Sequence, residues 1–205
     1  IQGVAGSFHD IAARIFFGDD IALVPALSFE KLTSLTLQAD FTDAAVMAIE
    51  NTIAGSLLPN YNLLQNNRLH IVGELMLRIR QNLLTLPGVN IETLTEVRSH
   101  PVALAQCKDF FAKHPHIRLV ESEDTAASAE WVAQEGNPAM GAIASSLAAE
   151  IHGLQILAPN IETYQANYTR FLILNPGDWR VVSGANKVSL SMVLPHTPGS
   201  LSRAL

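Results

Sequence analysis

The sequence predicts an α/β protein whose sheets are covered on both faces. Segments with strand-like and helix-like hydrophobic patterns alternate along almost the whole chain, which is typical of this class. Residues that favour helix caps stand where one pattern gives way to the next. Of the 205 residues, 48% are hydrophobic and 16% are charged, so the chain can bury a substantial core. The length is typical of one large domain or two small ones.

Two helices with polar N-caps precede the first predicted strand. Residues 7–10 (SFHD) form a capping box at the start of the first helix, and Ser28 starts the second. Residues 44–49 (AAVMAI) indicate a short buried strand, and Gly55-Ser56 leads into another helical stretch. Residues 74–80 (ELMLRIR) alternate apolar and polar side chains, which predicts a strand with one solvated face.

The second half of the chain repeats the alternation. His100-Pro101 opens a helix, because proline is favourable in a first helical turn. Asp124 or Thr125 caps another helix, and Gly153 closes a third. The predicted strands cover residues 94–99, 117–121, 140–144, 154–157 and 168–174, and the predicted helices cover residues 100–111, 124–135 and 145–152.

Two stretches read as boundaries. Residues 82–90 (NLLTLPGVN) predict a turn-rich interruption, and residues 175–186 (NPGDWRVVSGAN) predict a loop-rich transition. Residues 187–205 then indicate a strand, a turn and the first residues of a helix. Because so few residues cannot bury a core alone, we expect them to begin a further domain.

Composition excludes several classes of protein. The net charge of −6 argues against a general nucleic-acid binder, although a local anion site at a helix N-terminus remains open. The single cysteine, Cys107, cannot form an intrachain disulfide and is expected to be a buried small hydrophobe. The first residues lack the order of a signal peptide, and no apolar run reaches the ~20 residues of a membrane span. We therefore expect a cytoplasmic protein.

Familiar cofactor and metal motifs are weak in this chain. The glycines at 3 and 6 lack the spacing of a dinucleotide fingerprint, and no Walker lysine follows them. His114 and His116 form the only tight histidine pair, and no third ligand stands nearby, so no metal site is expected.

Small polar residues recur where predicted strands end and helices begin. Helix N-termini at such positions offer free N–H groups and partial positive charge. Each residue alone is more simply a helix cap. Together they predict a polar cleft for a small anionic ligand such as a carboxylic acid. The residues are Ser7, Asn51, Thr52, Ser99, Thr125, Ser145 and Ser146.

Five segments resemble the prephenate dehydratase family in residues and in order. They are GVAGSFHDIAA (3–13), AIENTIAGS (48–56), RSHPVALAQC (98–107), DTAASA (124–129) and NYTRFLIL (167–174). The last part, residues 187–205, resembles the start of an ACT regulatory domain. One departure is Val102, which stands where the family often has glutamine, and Gln106 one turn later is a candidate replacement.

The resemblance implies a two-lobed, periplasmic-binding-protein-like (type II) α/β fold around a central cleft. Residues 1–180 would be the catalytic domain, with lobe one at about 1–77 and 164–178 and lobe two at about 78–163. The truncated ACT segment would have a ferredoxin-like α+β pattern. Its effector site for phenylalanine would include Gly199, Ser200 and Leu201.

The implied reaction is loss of water and CO2 from prephenate, giving phenylpyruvate for phenylalanine biosynthesis. Because aromatisation drives the reaction, positioning and a proton donor suffice, and no cofactor is expected. The resemblance also implies a homo-oligomer, a dimer or a tetramer, with phenylalanine as feedback inhibitor. Arogenate dehydratase and a non-catalytic solute-binding protein remain alternatives.

The resemblance assigns roles to individual residues. Thr169 would donate the proton, and Arg170 would support the local charge or reach a carboxylate. A structural ion pair is the alternative for Arg170, because Thr169 and Phe171 share one face of a regular strand and Arg170 lies on the other. Substrate contacts would come from Asn51, Thr52, Gly55, Ser99, His100, Thr125, Ala126 and Phe171, with Glu50, Gln106 and Ser7 in support.

Overall fold

The computed structural model describes residues 1–38, 41–176, 184, 186–188, 190 and 192–205. Its strands form one four-stranded sheet in the order β2-β1-β9-β3 and one five-stranded sheet in the order β6-β5-β7-β4-β8. The strands are β1 (Ala45–Asn51), β2 (Gly55–Ser56), β3 (His70–Arg78), β4 (Asn82–Thr85), β5 (Glu96–Ser99), β6 (Arg118–Glu121), β7 (Met140–Ala144), β8 (Gln155–Ala158) and β9 (Tyr168–Asn175).

Helices cover both faces of both sheets. They are α1 (Phe8–Phe17), α2 (Phe29–Thr36), α3 (Leu58–Asn66), α4 (Pro101–Gln106), α5 (Lys108–Phe111), α6 (Thr125–Glu135), α7 (Ser146–His152) and α8 (Ser200–Ala204), with a 3-10 turn at Ile91–Thr93. The two-lobed α/β fold is therefore confirmed. We call the unit around the four-stranded sheet lobe one and the unit around the five-stranded sheet lobe two.

Lobe one is an antiparallel sheet between helices. All three of its strand pairings are antiparallel. On one face Phe171 and Ile173 pack with Ala12 and Ala13 of α1. On the other face, Leu172 and Leu174 pack with residues of α2 and α3, so β9 is buried on both sides. The continuous apolar run after Arg170 is the sequence signature of that two-sided burial.

Lobe two is a mixed sheet. β5 pairs in parallel with β6 and β7, whereas β4 pairs antiparallel with β7 and β8. The α4–α5 segment packs on one face and α6 with α7 on the other. The carboxyl ends of β5, β6 and β7 consequently lie at one edge of the sheet, where Ser99, Glu121 and Ala144 end their strands.

The predicted interruption at 82–90 is wrong in its first half. Residues 82–85 form β4, which is buried throughout and lies between β7 and β8 in the middle of the sheet. The polar residues at its two ends, Asn82 and Thr85, make this stretch of sequence resemble a turn. In the structure the Asn82 amide donates to the Ala144 carbonyl at 3.2 Å, so the polar group is satisfied inside the sheet.

Other differences are local. The helix predicted over 100–111 is divided at Cys107, and Asp124, not Thr125, caps α6. Most of the predicted loop at 175–186 lies outside the described residues, as do Ser189 and Ser191 of the predicted strand after it. The remaining described residues between 188 and 194 form no strand, and the predicted helix start is found as α8.

The lobes touch through a close backbone contact. Gly6 has a φ of +83°, and a Cβ there would lie 2.8 Å from Ala148 Cα, so only glycine fits. The Ser145 hydroxyl donates to the Gly6 carbonyl at 2.6 Å. The chain itself crosses between the lobes after β3 and again before β9.

Among the described residues, no helix combines the length and apolarity needed to cross a membrane.

Candidate active site at the lobe junction

A β-bulge in β1 determines which polar residues face each other at the edge of lobe one. β1 pairs Ala48 with Phe171 but Glu50 with Arg170, so Ile49 is an extra residue in β1. The bulge shifts the register so that Asn51 stands opposite Thr169. Cross-strand neighbours share one face of a sheet, which brings the Asn51 amide to the Thr169 hydroxyl.

Asn51 is the main hydrogen-bonding partner of Thr169. Its Nδ2 donates to Thr169 Oγ1 at 3.0 Å, to Asn167 Oδ1 at 2.8 Å and to the Tyr168 carbonyl at 3.2 Å. Its Oδ1 accepts from the backbone N–H groups of Ile53 and Ala54, both at 2.9 Å. Both ends of the amide are therefore engaged.

These contacts make the Thr169 oxygen a hydrogen-bond acceptor. Backbone N–H groups can only donate, so the oxygen of the Asn51 amide must face the 51–54 turn and its NH2 must face Thr169. Thr169 Oγ1 accepts there, and among the described residues no acceptor takes its own proton. The side chain is 8% exposed, which places it at a shielded rather than a solvated position.

Thr52 and Gly55 shape the turn next to this pair. The Thr52 hydroxyl donates to the Ala166 carbonyl at 2.8 Å and accepts from the Tyr168 N–H at 2.9 Å. With these two hydrogen bonds Thr52 holds the start of β9, and its contact with substrate stays a prediction. Gly55 has a φ of +80° and pairs with Asn51 across the turn.

Arg170 lies on the opposite face of β9 from Thr169. Its Nε and NH2 groups donate to Glu74 Oε2 at 2.9 and 2.6 Å, and NH1 lies 3.4 Å from Glu50 Oε2. Tyr61 donates to Glu50 at 2.8 Å. The structure thus shows Arg170 in an ion pair, with Glu74 as the nearer partner and Glu50 as the second.

The groups of this cluster shift one another's pKa values. Hydrogen bonds from Lys187 and then Arg170 lower the pKa of Glu74. The hydrogen bonds to Glu74 raise the pKa of Arg170, and burial followed by the Glu50 contact raises the pKa of Tyr61. These shifts favour the charged forms of Glu74 and Arg170 and the neutral form of Tyr61.

The predicted site residues of lobe two contact other groups of the same lobe. Ser99 is fully buried and its hydroxyl donates to the Ile143 carbonyl at 2.7 Å. Ala126 is also fully buried, in the core beneath α6. Asp124 accepts from the Ala127 N–H at 2.9 Å and so occupies the start of α6. The Ser99 proton is thus used inside lobe two. The substrate contacts predicted for Ser99, Ala126 and the half-buried Thr125 stay predictions.

Phe171 and Ser7 are likewise structural. Phe171 lies in the core of lobe one, edge-on to His9 with ring centroids 4.9 Å apart, and its contact with substrate stays a prediction. The Ser7 hydroxyl caps α1 by accepting from the Asp10 N–H at 3.3 Å. Burial followed by the nearby N-terminal charge lowers the pKa of His9 to about 3.

His100 borders an acidic groove at the edge of lobe two. Its Nδ1 accepts from the Val102 N–H at 3.2 Å and caps α4. The groove has a volume of about 390 Å³ and is lined by His100, Pro101, Glu121, Ser122 and Glu123. Two carboxylates here were not expected from an anion-binding cleft.

Sequence reasoning missed Asn167 and Gln81. Gln106, at the end of α4, does not stand alone: its Oε1 accepts from Asn167 Nδ2 at 3.0 Å and from Gln81 Nε2 at 3.2 Å. A signal for Asn167 is present in the sequence, because this asparagine directly precedes the YTRFLIL strand; the structure buries it fully. No such signal marks Gln81.

The single cysteine, Cys107, is buried. Burial, with a smaller effect of Glu162, raises the pKa of the Cys107 thiol to about 12, which confirms a buried hydrophobe. Within the residues that the structure describes, no three His, Cys, Asp or Glu side chains are grouped to hold a metal ion. Gly199, Ser200 and Leu201 lie at the start of α8, and their effector role stays a prediction.

A family model for prephenate dehydratase matches residues 1–178, which include both lobes and every residue of the Asn51–Thr169 edge. The chain belongs to the prephenate dehydratase family. A curated relative from Arabidopsis thaliana, arogenate dehydratase/prephenate dehydratase 2, chloroplastic, is 40% identical over 207 residues. That match covers 100% of this chain and 53% of the relative, and the chain spans about half the length of the first curated relatives it matches.

Solved structures agree with the two-lobed fold of the family. Prephenate dehydratase from Arthrobacter aurescens, solved in complex with L-Phe, aligns with a TM-score of 0.82 at 27% identity and covers 98% of this chain and 70% of that one. GqqA, described as a novel type of quorum quenching acylase, aligns with a TM-score of 0.78 at 29% identity, covering 99% and 73%.

Proposed function

We propose that the chain catalyses the decarboxylative dehydration of prephenate to phenylpyruvate, with Thr169 as the proton donor. The observation that carries this proposal is the Asn51–Thr169 hydrogen bond of 3.0 Å, in which the threonine oxygen accepts and its proton is left to give. Membership of the prephenate dehydratase family supports the substrate class.

The reaction needs one well-placed proton. As the bond between the ring and its carboxylate breaks, the electron pair moves into the ring, the ring C–O bond breaks, and CO2 leaves. The departing hydroxide takes the Thr169 proton and becomes water, and the threonine oxygen regains a proton from solvent. During the transfer, negative charge on Oγ1 is stabilised by the Asn51 N–H that already points at it.

The same hydrogen bond disfavours a nucleophilic role for Thr169. A threonine nucleophile needs an adjacent base to take its proton. The amide NH2 of Asn51 is a donor and cannot act as that base. Proton donation to a leaving group is therefore the chemistry that this pair favours.

Arogenate is the second candidate substrate, because its ammonium group replaces the keto oxygen of prephenate. The acidic groove lined by Glu121 and Glu123 favours a cation at the edge of lobe two. The Arabidopsis relative is named for both activities. Comparison of kcat/KM for the two substrates decides between them.

Regulation, assembly and location extend the proposal. We expect phenylalanine to inhibit a protein that carries the whole domain beginning near Lys187, and the L-Phe complex of the Arthrobacter aurescens structure supports this effector. A dimer or tetramer and a cytoplasmic location stay predictions. The Arabidopsis relative is named as chloroplastic.

Product formation tests the function directly. Purified protein is incubated with prephenate, and phenylpyruvate is measured for the wild type, Thr169→Ala and a control, Thr95→Ala, whose hydroxyl is exposed and bonded to the Ala139 carbonyl in lobe two. The wild type and the control should form product at similar rates, and Thr169→Ala should be strongly impaired. Binding of prephenate without product would instead indicate a solute-binding protein.

A further inference from the structure

A chain of side-chain amides joins lobe two to the Asn51–Thr169 pair. Gln81 and Asn167 both donate to Gln106 Oε1, at 3.2 and 3.0 Å. Asn51 donates to Asn167 Oδ1 at 2.8 Å and to Thr169 Oγ1 at 3.0 Å. Gln106 ends α4 in lobe two and Asn167 directly precedes β9 in lobe one, so the chain crosses the junction.

The direction of every amide in the chain is determined. The backbone N–H groups of the 51–54 turn place the Asn51 oxygen, and hence its NH2 faces Asn167. Asn167 must then present its oxygen to Asn51 and its NH2 to Gln106. Reversing Asn167 would set donor against donor at Asn51 and acceptor against acceptor at Gln106, which breaks a bond on each side. The chain therefore has one stable polarity, and it ends at the lone pair of Thr169.

Asn167 is held rigidly at the centre of this chain. It is fully buried, and its carbonyl accepts from the Ile79 N–H at 2.8 Å in the other crossing segment. A buried amide that loses a partner is costly, so its side chain follows the position of Gln106. Its burial also keeps it from touching substrate directly.

We propose that Asn167 is a positioning residue for the dehydration, transmitting the position of Gln106 in lobe two through Asn51 to the Thr169 hydroxyl. The proton donor is then aligned when α4 is docked against the junction. This inference rests on the proposed function, in which Thr169 gives the proton.

Two substitutions separate positioning from a merely structural role. Asn167→Ala removes the acceptor that holds the Asn51 amide, so kcat for prephenate should fall about tenfold with KM within about twofold. Asn167→Asp keeps an oxygen for Asn51 and should retain more activity than Asn167→Ala. A buried carboxylate nevertheless destabilises the fold, so Asn167→Asp should have the lower Tm. Asn167→Asp should thus be the more active and the less stable of the two variants.

The experiment measures kcat, KM and Tm for the wild type, both Asn167 variants, Thr169→Ala and the double variant Asn167→Ala/Thr169→Ala. Asn60→Ala and Asn60→Asp are matched controls, because Asn60 is a buried amide in lobe one whose NH2 donates to the Ala48 carbonyl at 2.7 Å. The controls should lose Tm but keep kcat. The double variant should be no slower than Thr169→Ala.

Each result is decisive. Equal kcat for Asn167→Ala and the wild type, or kcat that follows Tm across the variants, overturns the inference. If Asn167→Ala does not fold, Gln106→Ala is measured instead, with a fall in kcat expected and an unchanged kcat contradicting the proposal. Full activity of Thr169→Ala overturns the proton-donor assignment, and a wild type that forms no phenylpyruvate overturns both proposals.

Discussion

The two lobes carry similar polar residues at the edges that meet, but they use them differently. At the lobe-one edge, Asn51 and Thr169 bond to each other and leave the threonine proton available. At the lobe-two edge, Ser99 donates to a backbone carbonyl and Asp124 caps its helix. The type of residue at a strand end therefore does not decide its role; the partner of its hydrogen bond does.

The largest difference between the edges should appear in Asn51→Leu. This change removes the N–H that faces Thr169 Oγ1, and loss of such a donor typically lowers kcat by about 10²–10³-fold. Steady-state kinetics with prephenate measure the effect. An Asn51→Leu variant within threefold of the wild-type kcat would show that the lobe-one edge is no more catalytic than the lobe-two edge.

Acid should destabilise the core of lobe one through His9. Its folded pKa of about 3 lies below the unfolded value of 6.5, so the unfolded state binds the additional proton between these values. Stability conferred by the neutral imidazole is complete above pH 6.5 and is lost at up to about 1.4 kcal/mol per pH unit as pH falls toward 3. Urea unfolding at several pH values measures this slope. The His9→Leu variant should lack the part of the pH dependence that His9 causes.

Arg170→Gln should act mainly on binding. The substitution leaves Glu74 and Glu50 without their shared cation on the strand that carries Thr169. We expect KM for the dianionic substrate to rise about fivefold with little change in kcat. Arg118→Gln is the matched control, because Arg118 pairs with Glu96 in lobe two. Equal KM changes in the two variants would remove any special role of Arg170.

The smallest kinetic effect is expected at Ser99. Because its hydroxyl serves the Ile143 carbonyl, Ser99→Ala should lower the free energy of unfolding by about 1–3 kcal/mol and change kcat by less than twofold. Denaturant unfolding and the prephenate assay measure the two quantities. A large loss of kcat without loss of stability would return Ser99 to the substrate site.

Local sequence patterns predicted most helices and strands because each carries its own cap or period. The Ser7 and Ser145 caps are found with their hydrogen bonds in place. β4 was missed because a strand buried on both faces shows no alternation, and its polar ends resemble a turn.

The site was harder to predict than the fold. The motif placed Thr169, but the bulge at Ile49, which brings Asn51 opposite it, leaves no mark in the local pattern. Sequence alone could not show that Ser99 and Phe171 are buried, Ser99 with its hydroxyl bonded to the Ile143 carbonyl and Phe171 in the core of lobe one. The link from Asn167 to Gln106 joins positions 61 residues apart, and only the folded lobes bring them together.

The central claim is that the Thr169 hydroxyl, held by Asn51, gives its proton to the leaving oxygen. The most direct measurement is kcat at saturating prephenate for Thr169→Val and Thr169→Ser, since valine keeps the shape without the hydroxyl and serine keeps the hydroxyl. We expect Thr169→Val to lose about 10²–10⁴-fold, as removal of a general acid does, and Thr169→Ser to retain most of the rate. A Thr169→Val variant with the wild-type kcat would contradict the claim.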